Sequence, residues 1–169
     1  LCSRKVADLS EFWNGQKNIV LNDPNILACR EWEDLLGQLA ESKALVDFNQ
    51  GLDARVLTEA KCRALDAVRI NEIHFAWDNP KDDLEGKFRN FANGFRRKSN
   101  IGMVYCLTNF NSTMEENLYR IYTLRDLGYD PYVMVYDKPN SPTEIRHLQR
   151  WCNNKIIFKS VPRFEDYKP

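Results

Sequence analysis

Val46-Asp47-Phe48-Asn49-Gln50-Gly51-Leu52-Asp53-Ala54-Arg55 runs from an apolar, strand-like segment into a polar turn and on towards a helix. An apolar run that ends in carboxylates, carboxamides and a glycine, with an amphipathic helix behind it, is how an α/β protein builds a site at the carboxyl ends of its strands. The same event recurs along the chain. Ile19-Val20-Leu21 ends in Asn22-Asp23-Pro24-Asn25, the run from about Glu72 to Trp77 ends in Asp78-Asn79-Pro80, and that from about Ile101 to Leu107 ends in Thr108-Asn109-Phe110-Asn111. Tyr132 to Tyr136 ends in Asp137-Lys138-Pro139-Asn140. Proline and clustered Asn or Asp cannot continue a central strand, so each polar group marks a strand end.

Between these strands the apolar spacing is helical. Trp32, Leu35, Leu36 and Leu39 predict a helix that stops near Ser42-Lys43, and Leu84, Phe88, Phe91 and Phe95 predict another, with Arg96-Arg97-Lys98 suited to the negative pole of its end. A helix from about Arg55 to Val68 is expected to bury Val56, Ala60, Ala64, Leu65 and Val68. Thr113 and Glu116 have the spacing of a capping box for a helix that runs to Leu127 and stops at Gly128. A helix from about Thr143 to Cys152 follows, and a short one over Asp8 to Trp13 opens the chain. Lys155 to Pro169 reads as an aromatic, basic tail.

Strand starts near residues 19, 45, 72, 101 and 131 are 26, 27, 29 and 30 residues apart, about the length of one βα unit. Parallel strands joined by helical crossovers form either a doubly wound sheet or part of a (β/α) barrel. Near-equal units with a polar cluster at every strand end predict the barrel: about five consecutive βα units in a single domain over residues 1–169, with 155–169 as the tail.

Composition narrows the function. The 24 basic and 24 acidic side chains cancel and the pI is about 6.9, so no overall field draws the chain to nucleic acid or to an anionic membrane. No apolar run approaches the roughly 20 residues of a membrane span, and the charged opening lacks the apolar core of a signal peptide; the expected location is cytoplasmic. Five scattered cysteines, Cys2, Cys29, Cys62, Cys106 and Cys152, form no CxxC or CxxxCxxC cluster and read as free packing thiols. His74 and His147 are the only histidines; neither has the setting of a nucleophilic triad, and His74 reads as a satisfied sheet-lining group. No glycine-rich phosphate loop is present.

The strand ends deliver Asp23 and Asn25, then Asn49, Gln50, Asp53 and Arg55, then Asp78 and Asn79, then Thr108, Asn109 and Asn111, and finally Asp137 and Lys138. Carboxamides and carboxylates fix hydroxyls and amines, so this set binds rather than obviously catalyses; it suits a ribose and an amino acid. At each position turn formation and capping compete with ligand binding as the reason for the residue. Arg55, a cation at the expected start of a helix, opposes the positive pole there and is expected to pair with a carboxylate.

Asp23-Pro24-Asn25-Ile26-Leu27-Ala28, Asp47-Phe48-Asn49-Gln50-Gly51-Leu52-Asp53-Ala54-Arg55, and Leu148-Gln149-Arg150-Trp151 with Asn154-Lys155 together resemble the radical S-adenosylmethionine proteins, in particular a bacterial and phage-encoded subgroup. The likeness covers nearly the whole chain. It implies a partial barrel of which this chain is the part from the second strand onward, and, in the full-length protein only, a [4Fe-4S] cluster that cleaves S-adenosylmethionine to a 5′-deoxyadenosyl radical acting on an unknown substrate. By the resemblance Asp23 and Asn25 stand where relatives carry a Gly-Gly-Glu turn for the methionine amine. Asn49, Gln50, Arg55 and Asp78 fall where relatives hold the carboxylate and ribose, and Tyr136 where they flank the adenine. The CxxxCxxC loop is absent. The competing expectation is a non-catalytic α/β binding module that has lost the cluster. With its upstream neighbour missing, the strand at 19–21 is expected to lie at an exposed sheet edge and to favour self-association.

Overall fold

The computed structural model describes residues 4–22, 25–95 and 102–169. Five strands, β1 (Asn18–Leu21), β2 (Leu45–Asp53), β3 (Ile70–Ala76), β4 (Met103–Thr108) and β5 (Asp130–Val135), form one parallel sheet in the order β1-β2-β3-β4-β5. Strand order equals chain order, so the sheet has no switch point where crossovers reverse. Crossovers of one hand then stack their helices on one face, which is the arrangement of a partial (β/α) barrel rather than a doubly wound sheet. The helices are α1 (Trp32–Ser42), α2 (Glu59–Ala67), α3 (Glu85–Gly94), α4 (Met114–Asp126), α5 (Thr143–Asn153) and α6 (Lys155–Ser160). The first four touch in sequence, α1 to α2 to α3 to α4.

Alternation along the strands decides which face is covered. Ile19, Val46, Phe48, Leu52, Ile70, Ile73, Phe75, Val104, Cys106 and Val133 are buried beneath the helices. The core is aromatic at its centre: Phe75 meets Phe91 edge-on at 5.1 Å and Phe88 at 5.8 Å, and Trp77 lies 5.6 Å from Phe88. Truncating one such fully buried Phe costs about 3–5 kcal/mol, so this knot of rings fixes α3 onto the sheet. A second cluster, Ile121, Val133, Leu148, Trp151, Cys152 and Phe158, seats α5 and α6 against β5.

Strand β2 is irregular where its polar residues begin. Phe48 pairs with Ile73 but the next partners are Leu52 and Phe75, so Asn49, Gln50 and Gly51 bulge out of the ladder. Bulges re-aim side chains and cluster near functional ends of sheets.

Several expected elements change. The opening helix shrinks to a 3₁₀ turn, Leu9–Glu11, and Phe12 is exposed. The helix expected from Arg55 starts at Glu59, because Thr58 caps it by accepting from the Lys61 amide; Arg55 belongs to a separate 3₁₀ turn, Ala54–Val56. Its buried face is Cys62 and Leu65, while Ala60 is exposed. The tail contains α6, capped by Asn154, whose side chain accepts from the amides of Ile156 and Ile157. The capping box of Thr113 and Glu116 is present, and Gly128 terminates α4 with φ +86°. Ile101 and the cluster Arg96-Arg97-Lys98 lie outside the described residues.

Candidate functional site

All five carboxyl ends open on one rim of the sheet. Turn chemistry uses up part of the polar inventory there. Asn79 closes its own loop, accepting from the Lys81 amide at 3.1 Å and donating to Asp82 at 3.1 Å. Asp137, at φ +46°, accepts from Asn140 at 3.0 and 3.1 Å. Asn109, at φ +61°, donates to the Tyr136 carbonyl at 2.9 Å and joins the ends of β4 and β5. For these three the turn is sufficient reason for the residue. Asn111 is exposed, and Thr108 is buried, its hydroxyl donating to the Met134 carbonyl at 3.2 Å.

The remaining residues differ in exposure. Asn49 donates to Asn22 Oδ1 at 3.0 Å, which ties the bulge of β2 to the end of β1. Gln50 is exposed beside it. Asn25 precedes the 3₁₀ turn Ile26–Ala28, accepting at its carbonyl from the Ala28 amide; Asp23 lies outside the described residues. Asp53 receives a fork from Arg55, Nε to Oδ1 and Nη2 to Oδ2, each at 2.8 Å, and also the Arg55 amide at 2.9 Å. This pairing holds the Asp53 carboxyl below its usual range. The Arg55 side chain remains 66% exposed, so it is stapled to its own turn at the rim. At the other side of the rim Tyr136 and Phe110 face each other at 4.9 Å and are 52% and 62% exposed.

Asp78 follows β3. Its outer edge is open, yet crowding by protein lifts its carboxyl above the usual range, against the pull of the Leu107 backbone and the Arg120 charge. Arg120 was not among the residues singled out from the sequence, and it is the most constrained cation of the rim. Fully buried on α4, it donates from Nη1 to the carbonyls of Trp77 (2.5 Å) and Asp78 (3.1 Å), and from Nη2 to the Leu107 carbonyl (2.9 Å) and Asn117 Oδ1 (2.6 Å). It therefore laces the ends of β3 and β4 together beneath Asp78. The signal was in the spacing: Asn117, Arg120, Ile121 and Leu124 lie on the buried stripe of α4.

The cysteines are dispersed. Cys29, Cys62, Cys106 and Cys152 are buried and far apart along the chain; the Cys29 thiol donates to Glu31 at 3.1 Å, while burial raises the thiols of Cys62 and Cys152 and pushes Cys106 up to about 12. No group of three metal-ligating side chains assembles among the described residues. These thiols do not fit an iron–sulfur cluster, which needs several thiolates together. The donor set at the rim, by contrast, fits the amino-acid and ribose parts of a nucleoside-linked amino acid.

The best-formed clefts lie elsewhere: one of about 450 Å³ between α2 and α3, lined by Thr58, Cys62 and Lys87 among others, and one of about 80 Å³ at the amino ends of β3 to β5. The rim is nonetheless the candidate site, because five chain segments converge there with polar side chains. Compared with models of protein families, with curated proteins and with solved structures, the chain matches none. No helix among the described residues is long and apolar enough to cross a membrane.

Proposed function

We propose that the chain is the S-adenosylmethionine-binding part of a radical enzyme's partial barrel, acting on an unknown substrate. The observation that carries this reading is the unbroken strand order, which sets five polar carboxyl ends side by side on one rim. In this reading the bulge residues Asn49 and Gln50, with Asn25, receive the amine and carboxylate. Arg55 and Asp78 receive the carboxylate and ribose, and the exposed face of Tyr136 takes the adenine. When bound with a [4Fe-4S] cluster held elsewhere in the full-length protein, S-adenosylmethionine supplies the radical chemistry; the described residues bind and orient it.

The test is a titration of the ¹⁵N-labelled chain with S-adenosylmethionine, followed by amide shifts. Shifts confined to Asn49, Gln50, Arg55, Asp78 and Tyr136 are expected, and Arg55→Lys should weaken binding by about 1–3 kcal/mol with the fold intact. No shift at millimolar ligand would overturn the proposal.

The buried, scattered thiols favour a second reading, a non-catalytic binding module. Sequencing the coding region upstream of Leu1 separates the two: a CxxxCxxC loop there supports the enzyme, and a start codon at that point supports the module.

A further inference from the structure

The helices cover one face of the sheet, and nothing among the described residues covers the other. Register places Val20 on β1, Asp47 and Asp53 on β2, Glu72 and His74 on β3, Met103 and Tyr105 on β4, and Asp130, Tyr132 and Met134 on β5 along this face, with His74 itself buried among its neighbours at 7% exposure. Val20 is 58% exposed, Met134 46% and Tyr132 38%. The β4–β5 side is aromatic: His74 stacks on Tyr105 at 5.6 Å, and Tyr105 meets Tyr132 edge-on at 5.8 Å. The β2–β3 side is acidic.

Charge is segregated on this sheet. The chain has 24 lysines and arginines, yet none lies in any of the five strands. Asp53 is paired with Arg55, and Asp130 with Lys155 at 3.3 Å. Asp47 accepts only a neutral amide hydrogen from Asn71, at 2.7 Å, in the contacts described. Glu72 stands 4.0 Å from His74 Nε2, and the other ring nitrogen of His74 lies 2.9 Å from the Phe48 carbonyl. That carbonyl can only accept, so Nδ1 carries a proton and donates to it. Two carboxylates thus stand beside a row of aromatic faces with no strand cation to neutralise them.

We propose that this open face binds a lysine- or arginine-bearing segment of a polypeptide in extended form. Cations gain from both halves of the surface, by Coulomb attraction to Asp47 and Glu72 and by lying against the exposed ring of Tyr132. A second copy of this chain seated face to face would bring no lysine or arginine of its own five strands to Asp47 and Glu72. A small molecule needs a concave pocket of roughly 300 Å³ or more that buries most of its surface, whereas this face is a shelf bordered at the amino ends of β3 to β5 by a cleft of about 80 Å³. From β1 to β5 the shelf spans four strand spacings, about 19 Å, which is about six residues of extended chain. The proposal does not depend on what the strand ends bind.

The experiment is fluorescence anisotropy of a labelled hexapeptide of alternating lysine and leucine against the chain, with the glutamate–leucine hexapeptide as its counterpart. The lysine peptide should bind, and more weakly as salt rises from about 0.05 to about 0.5 M. Asp47→Asn combined with Glu72→Gln, and separately Tyr132→Ser, should each weaken binding about tenfold. Ile156→Ser, on the exposed side of α6, should leave it unchanged. Circular dichroism melts check that each variant is folded. Equal binding of the two peptides, or affinity unmoved by the open-face variants, would overturn the proposal. So would sedimentation of the free chain as a dimer that Tyr132→Ser dissociates, since the face would then belong to a second copy.

Discussion

Two arginines hold strand ends on the same rim under opposite conditions. Arg55 grips Asp53, two residues away, in water, with its side chain 66% exposed. Arg120 is fully buried and grips no carboxylate in the contacts described; its partners are four main-chain carbonyls, of Trp77, Asp78, Leu107 and Glu116, and one carboxamide, of Asn117. The first pairing is geometrically the better ion pair and energetically the smaller one, because solvent already satisfies both charges and screens them. The second lacks an ion-pair partner at contact distance but is the one whose removal leaves buried groups orphaned. Good salt-bridge geometry is therefore a poor guide to which arginine holds the rim together.

Removing Arg120 should break this contrast most violently. Arg120→Ala is expected to cost about 3–5 kcal/mol, read as a fall in the urea midpoint, because the Trp77, Asp78 and Leu107 carbonyls lose their donors and a void opens. A loss below about 1 kcal/mol would mean that the guanidinium contributes little beyond filling space.

A smaller effect of opposite sign is expected at Asn117. Its Nδ2 is buried without a hydrogen-bond partner while its Oδ1 accepts from Arg120. Asn117→Asp removes the orphaned donor and supplies a counter-charge near the start of α4, and should stabilise by about 1 kcal/mol at neutral pH. The gain should vanish as acid protonates the new carboxyl. Destabilisation at neutral pH would show that the site cannot hold a second buried charge.

Arg55→Ala should matter least, at most about 1 kcal/mol in stability. Here the sign with pH is fixed. Arg55 holds the Asp53 carboxyl below its unfolded value, so the stapling is fully present above that unfolded value and is lost as pH falls through the folded one. Urea melts of the native chain and of Arg55→Ala should differ at pH 7 and converge in strong acid; a gap independent of pH would mean the arginine acts by packing alone.

The same pair of residues measures how far the sequence could be read. Arg55 drew attention because its run is rich in turn residues, and a helix extrapolated back from Leu65 put a cation at the wrong pole. Thr58 caps that helix and it starts only at Glu59, four residues beyond Arg55, so the electrostatic conflict does not exist. Arg120 escaped notice because a charged residue in a helix is ordinarily assigned to solvent, although its spacing from Ile121 and Leu124 already put it on the buried stripe. The strand-and-helix alternation was legible because every unit repeats one pattern, polar stop included. What periodicity could not convey was the strand order, a long-range fact set by which edges meet. Nor could it distinguish an Asn that closes a turn, such as Asn79, from one that reaches across strands, such as Asn49.

Helix α5 seats against the outer margin of β5 through specific contacts. Asn153 accepts from the Val133 amide at 2.8 Å and returns a hydrogen to its carbonyl at 3.0 Å; Gln149 donates to that carbonyl at 3.1 Å. Pro131 has no amide hydrogen to offer, and its carbonyl takes the Cys152 thiol at 3.3 Å. At the opposite margin β1 pairs with β2 alone among the described strands. Head-to-tail stacking of sheets requires a receptive margin on both sides, and without the second one a growing filament has nowhere to add its next subunit. Should β1 recruit another copy of itself, the assembly stops at two: α5 acts as a chain terminator.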